Sequence, residues 1–348
     1  MNLAHKSLVL LLDAILRFPT VIGLLFFASL LFRDQRRTLM VWIGILLAIS
    51  LAALFISSAP ETLALPYPLW AFAKAVAAPN LALLWWFGRS LLDDDFKLGI
   101  WEWIGFFLLS ANNLPLLMDQ IELLGDWKRF TFNPLAYAVP VHLIYLAITG
   151  WRHDLIETRR TFRIFLLGWI IISLSIILLV EDTDTPQHLR ELVRLALSLP
   201  AIWFVIFVNT QIRSRGSLFL QTNLKLKSKP INDAQNADLQ RLLEAVESKQ
   251  IFLDPELTLP SLSTKCGMTE YRMRKLINEH LGFSNFPSFL NTYRIDEAKQ
   301  QLAQSDKAIT TIAFDCGFKT LSTFNRAFKK IEGVTPTMFR ENSTTGRK

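Results

Sequence analysis

The feature that most constrains this chain is a series of long apolar stretches in its first 210 residues. A helix needs about 20 mainly apolar residues to cross the ~30 Å hydrocarbon core of a bilayer. Five stretches approach or exceed this length without an acidic or basic residue, and the longest has 23 residues between Arg37 and Glu61. Two weaker stretches contain Asp13 or Lys74. The sequence therefore predicts a membrane-embedded N-terminal part.

We predict seven transmembrane helices, with six as the alternative count because two of the stretches are weak. A cleaved signal peptide is the alternative interpretation of the first 30 residues, although no small-residue cleavage site follows Phe32. The predicted spans cover residues 10–32, 39–58, 67–88, 98–118, 133–150, 163–180 and 193–210.

The basic residues between the predicted spans indicate the orientation of the chain. Nine Lys and Arg residues follow spans one, three and five, whereas three follow spans two, four and six. Because loops rich in Lys and Arg remain on the cytoplasmic side, we expect the N-terminus outside and the C-terminus in the cytoplasm.

The charge of the chain separates a second part from the first. Residues 1–210 contain 16 Lys and Arg against 16 Asp and Glu, while residues 211–348 contain 21 against 14 and carry the whole net charge of +7. We predict a transmembrane domain over 1–210, a juxtamembrane linker with an amphipathic helix over 211–249, a soluble domain over 250–342 and a tail over 343–348. The amphipathic helix is interpreted either as a packing helix or as a dimer contact.

A weak internal duplication lies in the soluble part. Cys266 and Gly267 are repeated 50 residues later as Cys316 and Gly317, and apolar positions match on both sides of each glycine. Thr269 and Thr320 are suitable N-caps for the helices that follow. A glycine between two short helices is typical of a helix-turn-helix motif, and residues 286–304 between the copies have the pattern of one linking helix.

The stretch from Asp254 to Arg340, and above all its second motif IAFDCGFKTLSTFNRAFKKIEGVTPTMFR, resembles the DNA-binding domain of AraC/XylS-type bacterial transcription regulators. The N-terminal part is similar to the branch of that family with several membrane spans. The fold class we expect is therefore all-α: a seven-helix transmembrane bundle, then an AraC-type domain with two helix-turn-helix motifs joined by a linker helix.

The resemblance implies which residues contact DNA. Side chains at the starts of the two recognition helices would read base edges, and further residues would contact phosphates. The base-reading candidates are Tyr271, Arg274, Lys275, Leu321, Ser322, Thr323 and Arg326, and the phosphate candidates are Thr269, Lys319, Thr320, Lys329, Thr337 and Arg340.

These residues favour a membrane-bound, one-component transcription regulator in the bacterial inner membrane. Its expected partners are promoter DNA, the lipid bilayer, an unknown membrane or small-molecule signal, a second copy of the chain and, by resemblance, RNA polymerase. The alternative is a membrane receptor or transporter whose helical cytoplasmic domain binds a protein. Polar residues within spans are candidates for sensing a ligand: Lys74, Asn112, Asn113, His142 and Arg194.

No motif indicates an enzyme, a cofactor or a metal site. The chain has no Gly-rich phosphate loop, HExxH or GxSxG motif, and its five histidines are scattered. Two cysteines are too few for a disulfide scaffold, and Cys266 and Cys316 are expected to be small buried apolar residues rather than a redox switch.

Overall fold

A computed structural model of the chain describes residues 3–34, 38–59, 65–111, 133–181 and 233–345. Within these ranges every regular element is a helix, apart from one isolated antiparallel bridge between Asp154 and Asn285. The predicted all-α class is therefore confirmed for the described residues. The chain divides into two compact units, Met1–Trp151 with Thr158–Asn223, and Arg152–Glu157 with Leu224–Lys348.

The helices of the first unit are largely apolar. Helix α2 packs against α1, α3 and α4, and α4 packs against α5 and α6. Val41 and Leu47 of α2 and Phe87 of α4 are among the buried side chains at these contacts. The elements are α1 (Leu3–Asp34), α2 (Leu39–Ser57), α3 (Tyr67–Ala77), α4 (Asn80–Leu92), α5 (Ile100–Ala111), α6 (Asn133–Trp151) and α7 (Glu157–Glu181), whose first residue belongs to the second unit.

The predicted count of seven membrane spans is not confirmed. In the described part of the chain, two helical segments are long and apolar enough to cross a membrane, Leu11–Arg33 and Leu39–Ser57. The predicted span 98–118 is described only as far as Ala111, and the span 193–210 lies outside the described residues. The spans 133–150 and 163–180 lie within α6 and α7.

The predicted span 67–88 is wrong as a single helix. The chain turns at Ala78 and Pro79, so that α3 has 11 residues and α4 has 13. At 1.5 Å per residue these helices are about 17 and 20 Å long, shorter than the hydrocarbon core. Pro79 causes this break, because it has no backbone N–H with which to continue the hydrogen bonds of α3. It directly precedes the first residue of α4.

Arg163 is one of the nine basic residues that set the predicted orientation, and it is buried. Its Nη2 donates to the carbonyl oxygen of Leu92 at 3.0 Å, and its Nη1 donates to that of Leu146 at 2.7 Å. Leu92 is the last residue of α4, so no N–H of the helix donates to its carbonyl oxygen. Arg163 therefore ties the end of α4 to α6.

The second unit consists of two small helical halves joined by a long helix. Helix α8 (Asp233–Leu243) continues into a π turn (Glu244–Ser248) and is followed by a 3-10 turn (Ile251–Leu253). The remaining elements are α9 (Leu259–Lys265), α10 (Glu270–Glu279), α11 (Phe286–Gln304), α12 (Ile309–Asp315), α13 (Leu321–Glu332) and α14 (Pro336–Thr345). One apolar cluster fills the first half and the N-terminal part of α11, and another fills the second half.

The amphipathic helix of the predicted linker is part of the first half. Leu242 and Val246 are fully buried in the first apolar cluster together with residues of α9 and α10. This burial favours the packing interpretation of the helix over the dimer contact, because the apolar side is already covered.

Candidate nucleic-acid interface

Each half of the second unit contains a pair of helices with the same turn. Gly267 follows α9 with a φ of 66°, and Gly317 follows α12 with a φ of 83°. This left-handed conformation strains residues with a side chain, so glycine is the residue that permits the sharp change of direction. The duplication in the sequence thus corresponds to two helix-turn-helix units, α9–α10 and α12–α13.

The second helix of each pair starts with a threonine cap. The hydroxyl of Thr269 accepts from the backbone N–H of Arg272 at 3.4 Å, and that of Thr320 accepts from Thr323 at 3.2 Å. Such caps satisfy one of the free N–H groups at a helix start. The sequence predicts that both threonines contact phosphate. In the structure both are exposed, and each hydroxyl also caps its helix.

Helix α13 presents polar side chains at its start and buries its apolar side. Phe324, Ala327 and Phe328 lie in the second cluster. Ser322, Thr323 and Arg326 are exposed, and within the described part of the chain no carboxylate forms an ion pair with Arg326. Leu321 differs from the other base-reading candidates, because its side chain is partly buried against the second cluster.

Helix α10 has a different electrostatic environment. Tyr271 is 54% exposed, and Lys275 lies 4.0 Å from Glu279 on the same helix. The side chain of Arg274 is only 12% exposed and pairs with two carboxylates, Glu157 at 2.8 Å and Glu270 at 3.3 Å. Of the base-reading candidates in α10, Arg274 is therefore the most closely paired and the most deeply buried, with two carboxylates against one for Lys275.

The remaining phosphate candidates lie in the second half or just before it. Lys319 is exposed and pairs with Glu256 at 2.8 Å, while Lys329 and Thr337 are exposed. Arg340 is half-buried, and its Nη2 donates to the carbonyl oxygen of Lys307 at 2.7 Å. Arg340 therefore has a structural contact in addition to any role towards DNA.

Arg294 connects the two halves. It lies on α11, is 8% exposed, and donates to the carbonyl oxygens of Phe252 (2.7 Å) and Asp254 (2.8 Å) in the first half. On its other side the guanidinium lies 5.7 Å from the ring centre of Phe318, which belongs to the second cluster. Burial lowers the pKa of this guanidinium. The contacts of Arg294 and the length of α11 together hold α10 of the first half and α13 of the second half at a fixed separation.

Comparison with known proteins identifies this arrangement. Residues 262–342 match the family described as a helix-turn-helix domain. A protein of Staphylococcus aureus, named as an uncharacterized HTH-type transcriptional regulator, is 38% identical over 91 residues, which are 26% of this chain and 12% of that protein. YtdP of Bacillus subtilis, named in the same way, is 28% identical over 117 residues, 32% of this chain and 15% of that protein.

The C-terminal region is an AraC-type helix-turn-helix domain. The predicted resemblance is thus confirmed for this region, whereas the matches span a small part of these relatives' own length.

Two solved structures also align with about a third of this chain. The C-terminal domain of AraT, a response regulator from Geobacillus stearothermophilus, is 25% identical, and the alignment covers 33% of this chain and 88% of that chain with a TM-score of 0.28. A protein of unknown function from Listeria innocua is 28% identical, with 30% and 94% covered and a TM-score of 0.27.

Sequence reasoning missed three sets of residues around the AraC-type domain. Arg294 could have been found as a charged residue on the apolar side of the linker helix. Asp238 of α8 is 3% exposed and pairs with Arg241 and with Arg272 of α10, which only the folded arrangement brings together. The partner of Arg274, Glu157, is 117 residues away in sequence, so no local pattern indicates it.

The two cysteines are buried, as expected for small apolar residues. Burial raises the pKa of both thiols, that of Cys316 to about 12, where the nearby carboxylates of Glu297 and Asp315 act in the same direction. The described residues contain no cluster of His, Cys, Asp and Glu that could hold a metal ion.

We predict that neither cysteine reacts with iodoacetamide in the folded chain. With a pKa of about 12, roughly one Cys316 thiol in ten thousand is ionised at pH 8, and only the thiolate is nucleophilic. Intact mass spectrometry of the full chain should show no adduct in buffer and two adducts in guanidinium. Rapid labelling of the folded chain would contradict the buried placement.

The two ligand-sensing candidates that the structure describes, Lys74 and His142, have different partners, and no described contact joins them. The ammonium of Lys74 lies 5.3 Å from the ring centre of Trp70, and Nδ1 of His142 accepts from Nε1 of Trp85 at 3.2 Å. Asn112, Asn113 and Arg194 lie outside the described residues.

Proposed function

We propose that this chain is a membrane-bound one-component transcription regulator that binds promoter DNA through both helix-turn-helix units. The observation that carries the proposal is the exposed start of α13, where Ser322 and Thr323 stand beside a capped helix end together with Arg326, which pairs with no carboxylate among the described residues. Arginine can bind guanine O6 and N7 in a bidentate way, and Ser or Thr can bond to several base edges.

The spacing of the two units supports simultaneous contact with DNA. Helix α11 has 19 residues and is therefore about 28 Å long. Two recognition helices that enter successive major grooves lie 34–36 Å apart, one turn of DNA. A rod of this length, together with the Arg294 contacts, suits that separation.

Substitution of Arg326→Ala is expected to weaken binding to the cognate promoter fragment by about 1–3 kcal/mol and to relax preference at one base pair. The fragment is recovered by chromatin immunoprecipitation and sequencing from the native host, and affinity is measured by fluorescence anisotropy with the full chain in detergent.

Lys249→Ala is the matched control for Arg326→Ala. Lys249 is also an exposed cation of the second unit, with a 65% exposed side chain, but it follows the π turn and lies on neither recognition helix. We expect this control to change affinity only slightly and without base preference. An equal loss for Arg326→Ala on every DNA sequence would make Arg326 a phosphate contact instead.

The proposal places the first unit in the bacterial inner membrane as a multi-pass domain. Large apolar side chains on the outer sides of its helices support this placement, among them Phe107 (65% exposed), Val141 (61%) and Ile164 (59%). The basic residues that follow α1 favour the cytoplasmic side, so α1 and α2 alone would leave the rest of the chain outside. An odd number of spans is needed to bring the AraC-type domain to the chromosome.

Reporter fusions test this topology. A fluorescent protein fused after Lys348 should be active, and alkaline phosphatase fused after Ser58 should be active, because the first reporter requires the cytoplasm and the second the periplasm. Alkaline phosphatase activity after Lys348 would contradict the proposal.

The signal and the other partners are part of the same proposal. A membrane or small-molecule signal would act on the first unit, with Lys74, Asn112, Asn113, His142 and Arg194 as the polar residues to substitute first. RNA polymerase and a second copy of the chain are expected at the promoter. A receptor or transporter with a protein-binding domain is not favoured, because the C-terminal region matches a helix-turn-helix family.

A further inference from the structure

A short segment distant in sequence is built into the first half of the AraC-type domain. This segment, Arg152–Glu157, connects α6 to α7 and belongs to the second unit. Asp154 forms the antiparallel bridge with Asn285, and the N–H of Leu155 donates to the carbonyl oxygen of Ser284 at 3.1 Å. The N–H of Phe286 donates to the carbonyl oxygen of His153 at 2.9 Å. The segment therefore adds a short strand-like pairing to the turn before α11.

Side chains of the 152–157 segment are also part of the packing. Leu155 is 1% exposed and lies in the first apolar cluster, and Asp154 is 1% exposed with its carboxylate accepting from the N–H of Ile156 at 3.1 Å. A buried leucine and two backbone hydrogen bonds distinguish this contact from a loose encounter between surface groups.

The segment ends in a contact with a proposed DNA-binding residue. Oε1 of Glu157 accepts from Nε of Arg274 at 2.8 Å. With Nε donating to Glu157 and Nη1 donating to Glu270, two of the three guanidinium nitrogens already face carboxylates rather than a DNA acceptor. Glu270 also contacts Arg274, but it belongs to the same helix and remains near Arg274 in any state. Glu157 belongs to the 152–157 segment, so a movement of that segment takes its carboxylate away from Arg274.

The charge of Glu157 has a second effect. A carboxylate beside the exposed start of α10 repels the phosphate backbone of DNA, in addition to occupying Arg274. The equivalent helix of the second half has no such partner, since Arg326 is exposed and unpaired in the described part of the chain. The two halves are thus unequal: one recognition helix is open and the other is covered at Arg274.

We propose that the 152–157 segment is an autoinhibitory element that holds Arg274 away from DNA. This proposal rests on the proposed function of the chain as a DNA-binding regulator. The segment is continuous with α6 and α7, so a rearrangement of those helices can withdraw Glu157. Release then frees Arg274 and removes a negative charge from the DNA-facing side of α10.

The first test removes the charge of Glu157 from the full chain in nanodiscs. Glu157→Gln is expected to bind the recovered promoter fragment about fivefold more tightly than the unmodified chain. Glu244→Gln is the matched control, because Glu244 is an exposed carboxylate of the second unit that pairs with Lys249, a residue on neither recognition helix. The double variant Glu157→Gln with Arg274→Ala should lose the gain. No gain for Glu157→Gln, or an equal gain for Glu244→Gln, would overturn the proposal.

The second test locks the segment in place. Paired residues of an antiparallel bridge have Cα atoms about 4.5–5.5 Å apart, a separation that suits a disulfide. Asp154→Cys with Asn285→Cys should therefore cross-link on oxidation, and the oxidised protein should bind DNA at least fivefold more weakly than the same protein after reduction. Failure to cross-link, or equal binding of both forms, would overturn the proposal.

These outcomes separate this proposal from the proposed function. If the chain is not a DNA-binding regulator, neither the unmodified chain nor any variant prefers the recovered fragment over a scrambled one. If only the inhibition is wrong, the unmodified chain prefers the fragment and neither Glu157→Gln nor oxidation changes its affinity.

Discussion

Gly317→Ala is expected to lower the stability of the second helix-turn-helix unit by about 2–4 kcal/mol. A β-carbon at this position would lie 2.6 Å from the carbonyl oxygen of Leu253 and 2.9 Å from its carbonyl carbon. These are backbone atoms, so the clash requires the 3-10 turn or α12 to shift, which costs about 1–3 kcal/mol. The left-handed φ of 83° adds about 1–2 kcal/mol of strain, and the reduced freedom of the unfolded chain offsets a part.

Gly333→Ala is the matched control for that substitution. Gly333 has a similar φ of 77°, but nothing lies within 4 Å of the β-carbon it would gain. Strain alone then costs about 1 kcal/mol. Hydrogen exchange of α12 and α13 in the full chain, read by mass spectrometry, should accelerate about 30- to 1,000-fold for Gly317→Ala and about fivefold for Gly333→Ala. Equal acceleration would show that the contact with Leu253 is not present.

Arg294→Met is expected to lower the stability of the AraC-type domain by about 2–5 kcal/mol. The substitution keeps an unbranched apolar stem but leaves the carbonyl oxygens of Phe252 and Asp254 without the donors they now have. An unsatisfied buried acceptor costs about 1–3 kcal/mol. Because these carbonyls join the 3-10 turn to α11, hydrogen exchange should accelerate in the turn and in both halves.

Lys299→Met on the same helix controls for the loss of a cation. Its hydrogen bond to Glu332 raises the pKa of Lys299, yet the pair is partly exposed and is expected to contribute less than about 1 kcal/mol. A stability loss as large as that of Arg294→Met would show that net charge, rather than the two carbonyl contacts, dominates. An unchanged exchange rate for Arg294→Met would contradict its role in connecting the halves.

Local chemistry explains which features of the AraC-type domain the sequence predicts. Helix starts at Thr269 and Thr320 follow from side-chain capping, and the turns follow from Gly267 and Gly317, which adopt a backbone conformation that other residues avoid. The apolar spacing of α13 identifies Phe324 and Phe328 as core residues. Each of these features depends on neighbours within a few residues, which is why a single sequence indicates them.

Features that depend on distant partners are not predictable in this way. The separation of Arg274 and Glu157 by 117 residues leaves no local signal, and the engagement of Arg274 is known only once the chain is folded. Proline also has different effects by context: α6 continues through Pro140, whereas α3 ends before Pro79. Length and apolarity alone therefore predict one continuous helix over residues 67–88, where the structure has two shorter helices.

Both helix-turn-helix units are proposed to contact DNA at the same time. The most direct measurement is methylation protection of the recovered promoter fragment by the full chain, which reports guanines covered in the major groove. We predict two protected segments on one side of the duplex, about 10 base pairs apart, with the segment under α13 lost in Arg326→Ala. A single protected segment, or protection of a scrambled fragment to the same extent, would contradict the claim.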